Sequence, residues 1–485
     1  MHMLIVINIE GHIRKLVSSA PLRAKNYTER DGKVLPVRWL FFRLRKYIDA
    51  FLRGSRENRL ILMPGLRGAG KTTLLWQLYK YLVERWGIDP RRILVLSVDD
   101  LILLDSDIFS AIEVYERVLN EPLEALKKEV FIFVDEASFD PKWSLAVKAA
   151  IYDRSDRVFT LVTGSSALSM RVTTDLARRA VIEKLFPLNY SEYLMLRFNV
   201  RPSRGFTSRI RDAIFKSASA KEACTRLRKL KSEILSLQLK LGDVRLDTHL
   251  EYFLKVGGLP FSAMEGEHAL NKVYEVVERI VYHDLPKLHG FDHATCESAL
   301  KFLALLATRH PERLSLQNIS QNIGLTRQVL SRVVSALIDA EVLFQVLHYG
   351  KGISVARKAR KYYFTTPILR AGILFNLGYS LSEEEVLGSL LEDAVASSLY
   401  RLVHINYLRG IHYPSKGADL LAITGNFEER RVIPIEVSWG PKDKSQVEET
   451  IRQHGALYGI VVDSSQEPRA EEHTLWVPRH WFLLI

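Results

Sequence analysis

Two periods of hydrophobicity alternate along the first third of this chain. Short apolar runs appear at LILMP (60–64), inside RRILVLSVDD (91–100), inside EVFIFVDEAS (129–138) and inside RVFTLVTGSSA (157–167). Runs of four to six apolar residues bounded by charged or turn residues predict strands buried on both faces. Between them lie stretches with apolar residues at helical spacing, such as TLLWQLYKYLVERWG (73–87). Strands alternating with helices predict a parallel sheet covered on both sides. The opening MHMLIVINIEGHIRK holds the run LIVINI, with no charged flank ahead of it and no small-residue cleavage site. It reads as a strand, not a leader. No apolar run nears the ~20 residues of a membrane helix, so a soluble, cytoplasmic chain without membrane attachment is expected.

The pattern changes three times downstream. Residues 208–242 lack Pro and Gly until Gly242, and LRKLKSEILSLQLKL (227–241) sets leucines at helical spacing against a basic face. Residues 315–347 give a helix (LQNISQNI), a turn at Gly324, a second helix capped by Thr326 and then a strand. A Gly-Lys-Gly tip at 350–352 and another strand follow. From about 385 the order is an amphipathic helix, two strands in GIHYPSKGADLLAIT, the buried strand RRVIPIEVSWG and a closing α/β stretch. The 485 residues suit roughly three domains of ~150 residues. The pattern divides them into an N-terminal segment (1–50), a core (51–200), a basic helical insert and lid (201–290), a helix-turn-helix with a wing (291–380) and a C-terminal α/β domain (381–485).

Composition is that of an ordinary globular chain, 47% hydrophobic and 26% charged. The net charge of +12 is unevenly spread. Segment 201–245 carries twelve Lys/Arg against four acids, so +8 of the surplus lies there. A basic stretch of this kind points to a polyanion such as DNA. Arg226, Arg228, Lys229 and Lys231 are its candidate backbone contacts. In the helix-turn-helix, Arg327, Gln328 and Arg332 fall on the exposed face of the second helix and Lys351 on the wing tip. Cys224 and Cys296 lack metal or redox spacing and read as structural thiols. His283, His289 and His412 have no ligand spacing either.

Candidate chemistry concentrates in GLRGAGKTT (65–73). It follows one apolar run and opens a helical pattern, the context that GxxxxGK[ST] requires to count as a phosphate-binding loop. Glycines let successive N–H groups turn inward, and the helix N-terminus adds partial positive charge. The binding set is Gly65, Arg67, Gly68, Ala69, Gly70, Lys71, Thr72 and Thr73, with Lys71 on the β- and γ-phosphates and Thr72 on Mg²⁺. Asp135 ends the next run and suits the same metal, and Glu136 suits the polarising of water. At the end of the fourth run, Ser165 or Thr163 is the candidate sensor. Of Arg171, Arg178 and Arg179, Arg179 is the candidate for neutralising developing charge, in cis or from a neighbouring subunit. The second case implies a homo-oligomer. ATP and Mg²⁺ are the expected cofactors.

These stretches carry a resemblance. GLRGAGKTT, FVDEASFDPKW, LVTGSSALSM, FPLNYSEYL (186–194), FLKVGGLP (253–260), KYYFTTPILRAGIL (361–374), LLEDAV (390–395) and IPIEVSW (433–439) occur in an order that resembles archaeal and bacterial AAA-type ATPases. The division is the one with a catalytic glutamate, and the subgroup is the one with a C-terminal restriction-endonuclease-like domain. The resemblance implies a P-loop NTPase sheet with a helical lid, a winged helix and an endonuclease-like α/β domain. Where that subgroup commonly shows Gly-Arg, this chain has Arg178-Arg179. It further implies that Glu392, Asp419 and Glu436 form a second, metal-holding set. Ser438 stands where that superfamily carries a lysine, so Lys442 or Lys444 would have to serve.

Three functions compete on this reading: an ATP-hydrolysing protein that binds DNA in processing, repair or recombination; an ATP-gated switch acting on a protein partner without DNA; and an ATP-dependent nuclease. Steeply salt-dependent DNA binding separates the first from the second.

Overall fold

The computed structural model describes residues 2–165, 174–322, 324–350, 358–425 and 430–485, with side chains from Ile9 onward except those of Asp175 and Asn322. They form two compact units. One comprises Met1–Phe186 with Lys287–Gly290 and Asp339–Glu341; the other comprises Pro187–Pro286, Phe291–Ile338 and Val342–Ile485.

In the first unit, the described residues build a five-stranded parallel sheet from β1 (Leu60–Pro64), β2 (Ile93–Ser97), β3 (Val130–Asp135), β4 (Val158–Gly164) and β5 (Val181–Ile182). The order is β2-β3-β4-β1-β5, every neighbour parallel. Residues of β1, β3 and β4 are buried throughout, as strands covered on both faces must be. Helix α3 (Lys71–Trp86) follows β1. Strand β2 ends sooner than its sequence suggests: Asp99 and Asp100 lie in the first turn of a short helix, where acids suit the helix dipole, and not at a strand tip.

Residues 1–50 belong to this unit, and their opening run is not a strand. It is helix α1 (His2–Thr28), which buries Ile9, Ile13, Leu16, Val17, Ala20 and Ala24 against α3, β2 and the helix Ile108–Leu119. Those positions recur every three or four residues, a period that shows only beyond the β-branched LIVINI. Helix α2 (Trp39–Leu52) comes next, burying Phe41, Leu44, Ile48 and Phe51.

In the second unit, the basic insert is a string of helices: Phe206–Phe215, Ala220–Arg228, Lys231–Leu241 and Leu246–Val256. Helices His293–Thr308, Leu316–Asn322 and Arg327–Asp339 follow, with Gly324 in the turn at φ +70°. The Thr326 hydroxyl accepts the Val329 N–H at 3.3 Å. Strands β6 (Leu343–His348) and β7 (Lys361–Phe364) pair antiparallel, and Leu314 bridges Arg360 beside them.

The C-terminal strands are β8 (Gly410–Tyr413), β9 (Leu420–Thr424), β10 (Arg431–Val437), β11 (Gly459–Asp463), β12 (Arg469–Glu471) and β13 (Thr474–Pro478). They do not stand apart from the hairpin. β6 pairs with β8 in parallel, so the described residues share one mixed sheet in the order β12-β13-β11-β10-β9-β8-β6-β7. Cys224 and Cys296 are buried and unlinked.

Candidate functional site

The phosphate loop begins where β1 ends. A Cβ on Gly65 would collide with the Leu185 carbonyl, so only glycine fits there. Gly68 and Gly70 take φ values of +80° and +95°, a region that side chains disfavour. Helix α3 starts at Lys71, placing its N-terminal amides at the loop. The Lys71 side chain is buried and folds back over the turn. Its Nζ donates to Gly65 O at 3.0 Å and Leu66 O at 3.4 Å, and lies 3.5 Å from Glu136 Oε1.

Sheet order brings the acids to this lysine. β4 lies between β1 and β3, so the ends of all three strands meet. The Thr72 hydroxyl donates to Asp135 Oδ2 at 2.5 Å, and the Thr163 hydroxyl donates to Oδ1. Burial, followed by the Glu136 charge, raises the Asp135 carboxyl above its ordinary range; the two threonine bonds and Lys71 oppose the rise. Glu136 sits at φ +55°, a strained value for a side chain of that size. Its N–H donates to Thr163 Oγ1 at 3.1 Å. Thr163 therefore holds both acids, one through each side of a single hydroxyl. Ser165 donates its N–H to Ser138 Oγ at 3.3 Å, while its own buried Oγ has no hydrogen-bond partner among the described residues.

This donor set fits a magnesium nucleotide. Thr72 and Asp135 present hard oxygen atoms side by side, the kind Mg²⁺ takes alongside phosphate oxygens. The orphan Ser165 hydroxyl is a further polar group at the same strand ends. Arg67 and Thr73 are half-buried in the loop and the first turn of α3.

Other expected site residues are not brought here. Arg179 pairs with Asp153 at 3.1 Å and lies 5.4 Å from the Tyr152 ring. The Tyr152 carbonyl accepts from Arg59, which also bonds Val158 O and immediately precedes β1. Arg179 thus stands at the starting ends of the strands, about 16 Å of strand from the loop at roughly 3.3 Å per residue. Within one chain it does not serve the loop, which corrects the assignment in cis. Arg171 lies outside the described residues.

The acids of the C-terminal domain do converge, but on lysines. Lys361 Nζ lies 3.2 Å from Glu392 Oε1 and 3.7 Å from Asp419 Oδ1. Tyr363 OH donates to Glu392 at 2.7 Å, and His310 Nδ1 lies 3.2 Å from its other oxygen. Lys442 Nζ lies 3.1 Å from Glu436 Oε1. Burial would discharge Lys361, yet Glu392 and Asp419 outweigh it and hold the ammonium above its ordinary value. Burial, then Glu392, pushes Asp419 up to about 6; burial, then Asp419, pushes Glu436 up to about 8. Among the described residues no group of three or more His, Cys, Asp or Glu is placed to hold a metal ion. Glu392, Asp419 and Glu436 thus gather in one buried cluster, with Lys361 on the first two and Lys442, one of the two candidates to replace the lysine missing at 438, on the third. Lys361 carried no local signal, because it reaches the acids from a strand far upstream.

Three of the four basic residues expected on DNA have partners within the chain. Arg228 Nε donates to Pro468 O at 3.1 Å and Lys231 pairs with Glu467 at 2.5 Å. Arg226 bonds Ser217 Oγ at 3.3 Å and lies 3.6 Å from Glu222. Lys229, the fourth residue expected on DNA, is exposed and takes part in none of these bonds. On the second helix of the helix-turn-helix, Arg327, Gln328 and Arg332 are exposed, Arg332 with its guanidinium 5.4 Å over the Phe291 ring. Lys351 lies outside the described residues. Among the described residues no helix is long and apolar enough to cross a membrane.

A residue missed from sequence is Arg38, buried just before α2. Its guanidinium donates to Ala69 O at 2.8 Å and to Phe186 O at 2.7 Å.

Comparison with known proteins agrees with the loop geometry. Residues 57–194 match the family model described as AAA domain, and residues 247–375 match a domain of unknown function (DUF8612). A Haemophilus influenzae uncharacterized protein is 22% identical over 63% of this chain and 67% of its own length. The uncharacterized protein MJ1544 of Methanocaldococcus jannaschii is 20% identical over 71% of this chain and 67% of its own. Among solved structures, Caenorhabditis elegans PCH-2 aligns over 65% of this chain and 72% of that one at 18% identity, with a TM-score of 0.27, too low to bear on the fold. The uncharacterized protein MJ1637 of Methanocaldococcus jannaschii is 30% identical over 99% of this chain and 95% of its own length. With its AAA-type P-loop domain at 57–194, this chain belongs to the family of MJ1637.

Proposed function

We propose that this chain binds magnesium ATP at residues 65–73, hydrolyses it, and couples the cycle to DNA. The observation carrying the first part is the meeting of Lys71, Thr72, Asp135, Glu136 and Thr163 at the ends of β1, β3 and β4. Bound magnesium ATP would supply the phosphoanhydride and the divalent charge that offsets charge developing during its cleavage. The loop amides and Lys71 hold phosphate oxygens. The Thr72 hydroxyl and the Asp135 carboxylate would hold the metal. Glu136 takes a proton from attacking water, and the grip of Thr163 on its N–H sets where that carboxylate stands.

The test separates binding from turnover. Lys71→Ala is expected to abolish nucleotide affinity measured by calorimetry. Glu136→Gln is expected to bind ATP like the parent and to lose about 100-fold or more in ATP turnover, since only the proton acceptor is lost. Parental turnover in Glu136→Gln would refute the base assignment.

The DNA part is supported by the helix-turn-helix with its hairpin, whose layout resembles a winged helix, and by exposed Arg327, Gln328 and Arg332. Reversing Arg327 and Arg332 to Glu is expected to weaken duplex binding about tenfold or more. The log–log salt slope should flatten by nearly two, one for each phosphate left without its arginine. An ATPase that neither binds DNA at ~50 mM salt nor responds to it would instead be an ATP-gated switch on a protein partner.

A further inference from the structure

We propose that Arg38 is a positioning residue of the phosphate loop, setting the direction of the Gly70 amide; this rests on the reading of 65–73 as a nucleotide site. Arg38 lies in the connection leading into α2, outside the 57–194 stretch that matches the AAA domain. It is 6% exposed, an unusual place for a guanidinium. Its fork reaches two main-chain carbonyls, Ala69 at 2.8 Å and Phe186 at 2.7 Å.

The Ala69–Gly70 peptide needs such a hold. Gly68 and Gly70 both sit at positive φ, and glycine moves readily between backbone regions. The Ala69–Gly70 peptide turns about ψ of Ala69 and φ of Gly70, so the glycine leaves it free to rotate from that side. Ala69 donates its own N–H to Leu66 O at 3.1 Å, which leaves its carbonyl side to be fixed. In a planar trans peptide the C=O and the following N–H point in opposite directions. Fastening the Ala69 carbonyl to Arg38 therefore turns the Gly70 N–H away from Arg38, toward the concave side of the loop. The second arm gives the clamp a fixed reference. Glu183 and Leu185 donate to Leu62 O and Pro64 O, both at 2.8 Å, so the segment ending at Phe186 is tied along β1. The fork thus ties the loop's Ala69 carbonyl to a segment already anchored along β1. It also places a guanidinium against the backbone of the loop.

The experiment uses the full chain with Arg38→Ala, Arg38→Lys and Lys71→Ala. Magnesium ATP affinity is measured by calorimetry, KM and kcat by phosphate release, and melting in the absence of nucleotide. We expect Arg38→Ala to weaken ATP affinity about tenfold or more and to raise KM by a similar factor, with kcat within about threefold of the parent. Arg38→Lys, which reaches one carbonyl and not both, should fall between the two. A residue that served stability alone would lower the active fraction, and hence the apparent kcat, at unchanged KM; that result overturns the proposal. If Arg38→Ala does not fold, Arg38→Lys decides: ATP affinity and KM within twofold of the parent overturn it. Lys71→Ala tells the two failures apart. Parental ATP affinity in that variant refutes the nucleotide site itself, whereas its loss beside an unaffected Arg38→Ala refutes only the clamp.

Discussion

Thr163 shows how much one hydroxyl can organise. It donates to the buried Asp135 carboxylate and accepts the N–H of Glu136, whose backbone is strained at φ +55°. Thr163→Val keeps the shape and removes both bonds. It is expected to lower ATP turnover about tenfold or more, and Thr163→Ser to recover most of it; parental turnover in the valine variant would show that the acids hold their places unaided. Glu436 makes a different residue-level prediction. Burial and the Asp419 charge push its carboxyl up to about 8 from an ordinary 4.5, against the pull of Lys442. Between those values the folded chain keeps a proton that the unfolded chain has released, so stability falls as pH rises and levels off above about 8. Glu436→Gln stays neutral throughout. Urea midpoints at pH 5.5 and 8.5 should therefore differ less in the variant than in the parent, and an equal difference would clear Glu436 of the effect. Lys71, Thr72, Asp135 and Glu136 were legible in the sequence because spacing and strand context carry their chemistry. Arg38, Lys361 and the double role of Thr163 were not, because each acts through partners brought near only by the fold.

At the level of elements, apolar runs located β1 to β4 well, since a strand buried on both faces has little other pattern to show. The same logic failed for LIVINI, where β-branched residues open a helix whose period emerges only further on. That helix now has a testable weight. Deleting residues 1–28 uncovers the apolar faces of α3 and of the helix Ile108–Leu119. The four aliphatic side chains Ile9, Ile13, Leu16 and Val17 alone would lose burial worth roughly 1.5–3 kcal/mol each on transfer grounds. The truncated chain is expected to melt well below the parent or to aggregate; an unchanged melting midpoint would make α1 dispensable. The basic insert teaches the opposite lesson. Its charge density was plain in the sequence, but Arg228 and Lys231 face the chain's own turn at 467–468. Charge reversal at those two should raise hydrogen exchange in the helices Ala220–Arg228 and Lys231–Leu241, while reversal at Lys229 should not.

Across the whole chain, the sequence suggests five consecutive pieces, and the fold groups the described residues into two units. The grouping was hidden because strand partners do not follow chain order. β6 belongs at once to the hairpin after the helix-turn-helix, through β7, and to the C-terminal sheet, through Leu347–His412 and His348–Tyr413. Severing the chain at the 380 boundary would strip β8 of that neighbour and bare a row of amides and carbonyls along its side, the kind of surface that recruits foreign strands. The last hundred residues are consequently a poor candidate for recombinant isolation. A hybrid protein exchanging either piece would have to recreate the same two register pairs to inherit a closed flank.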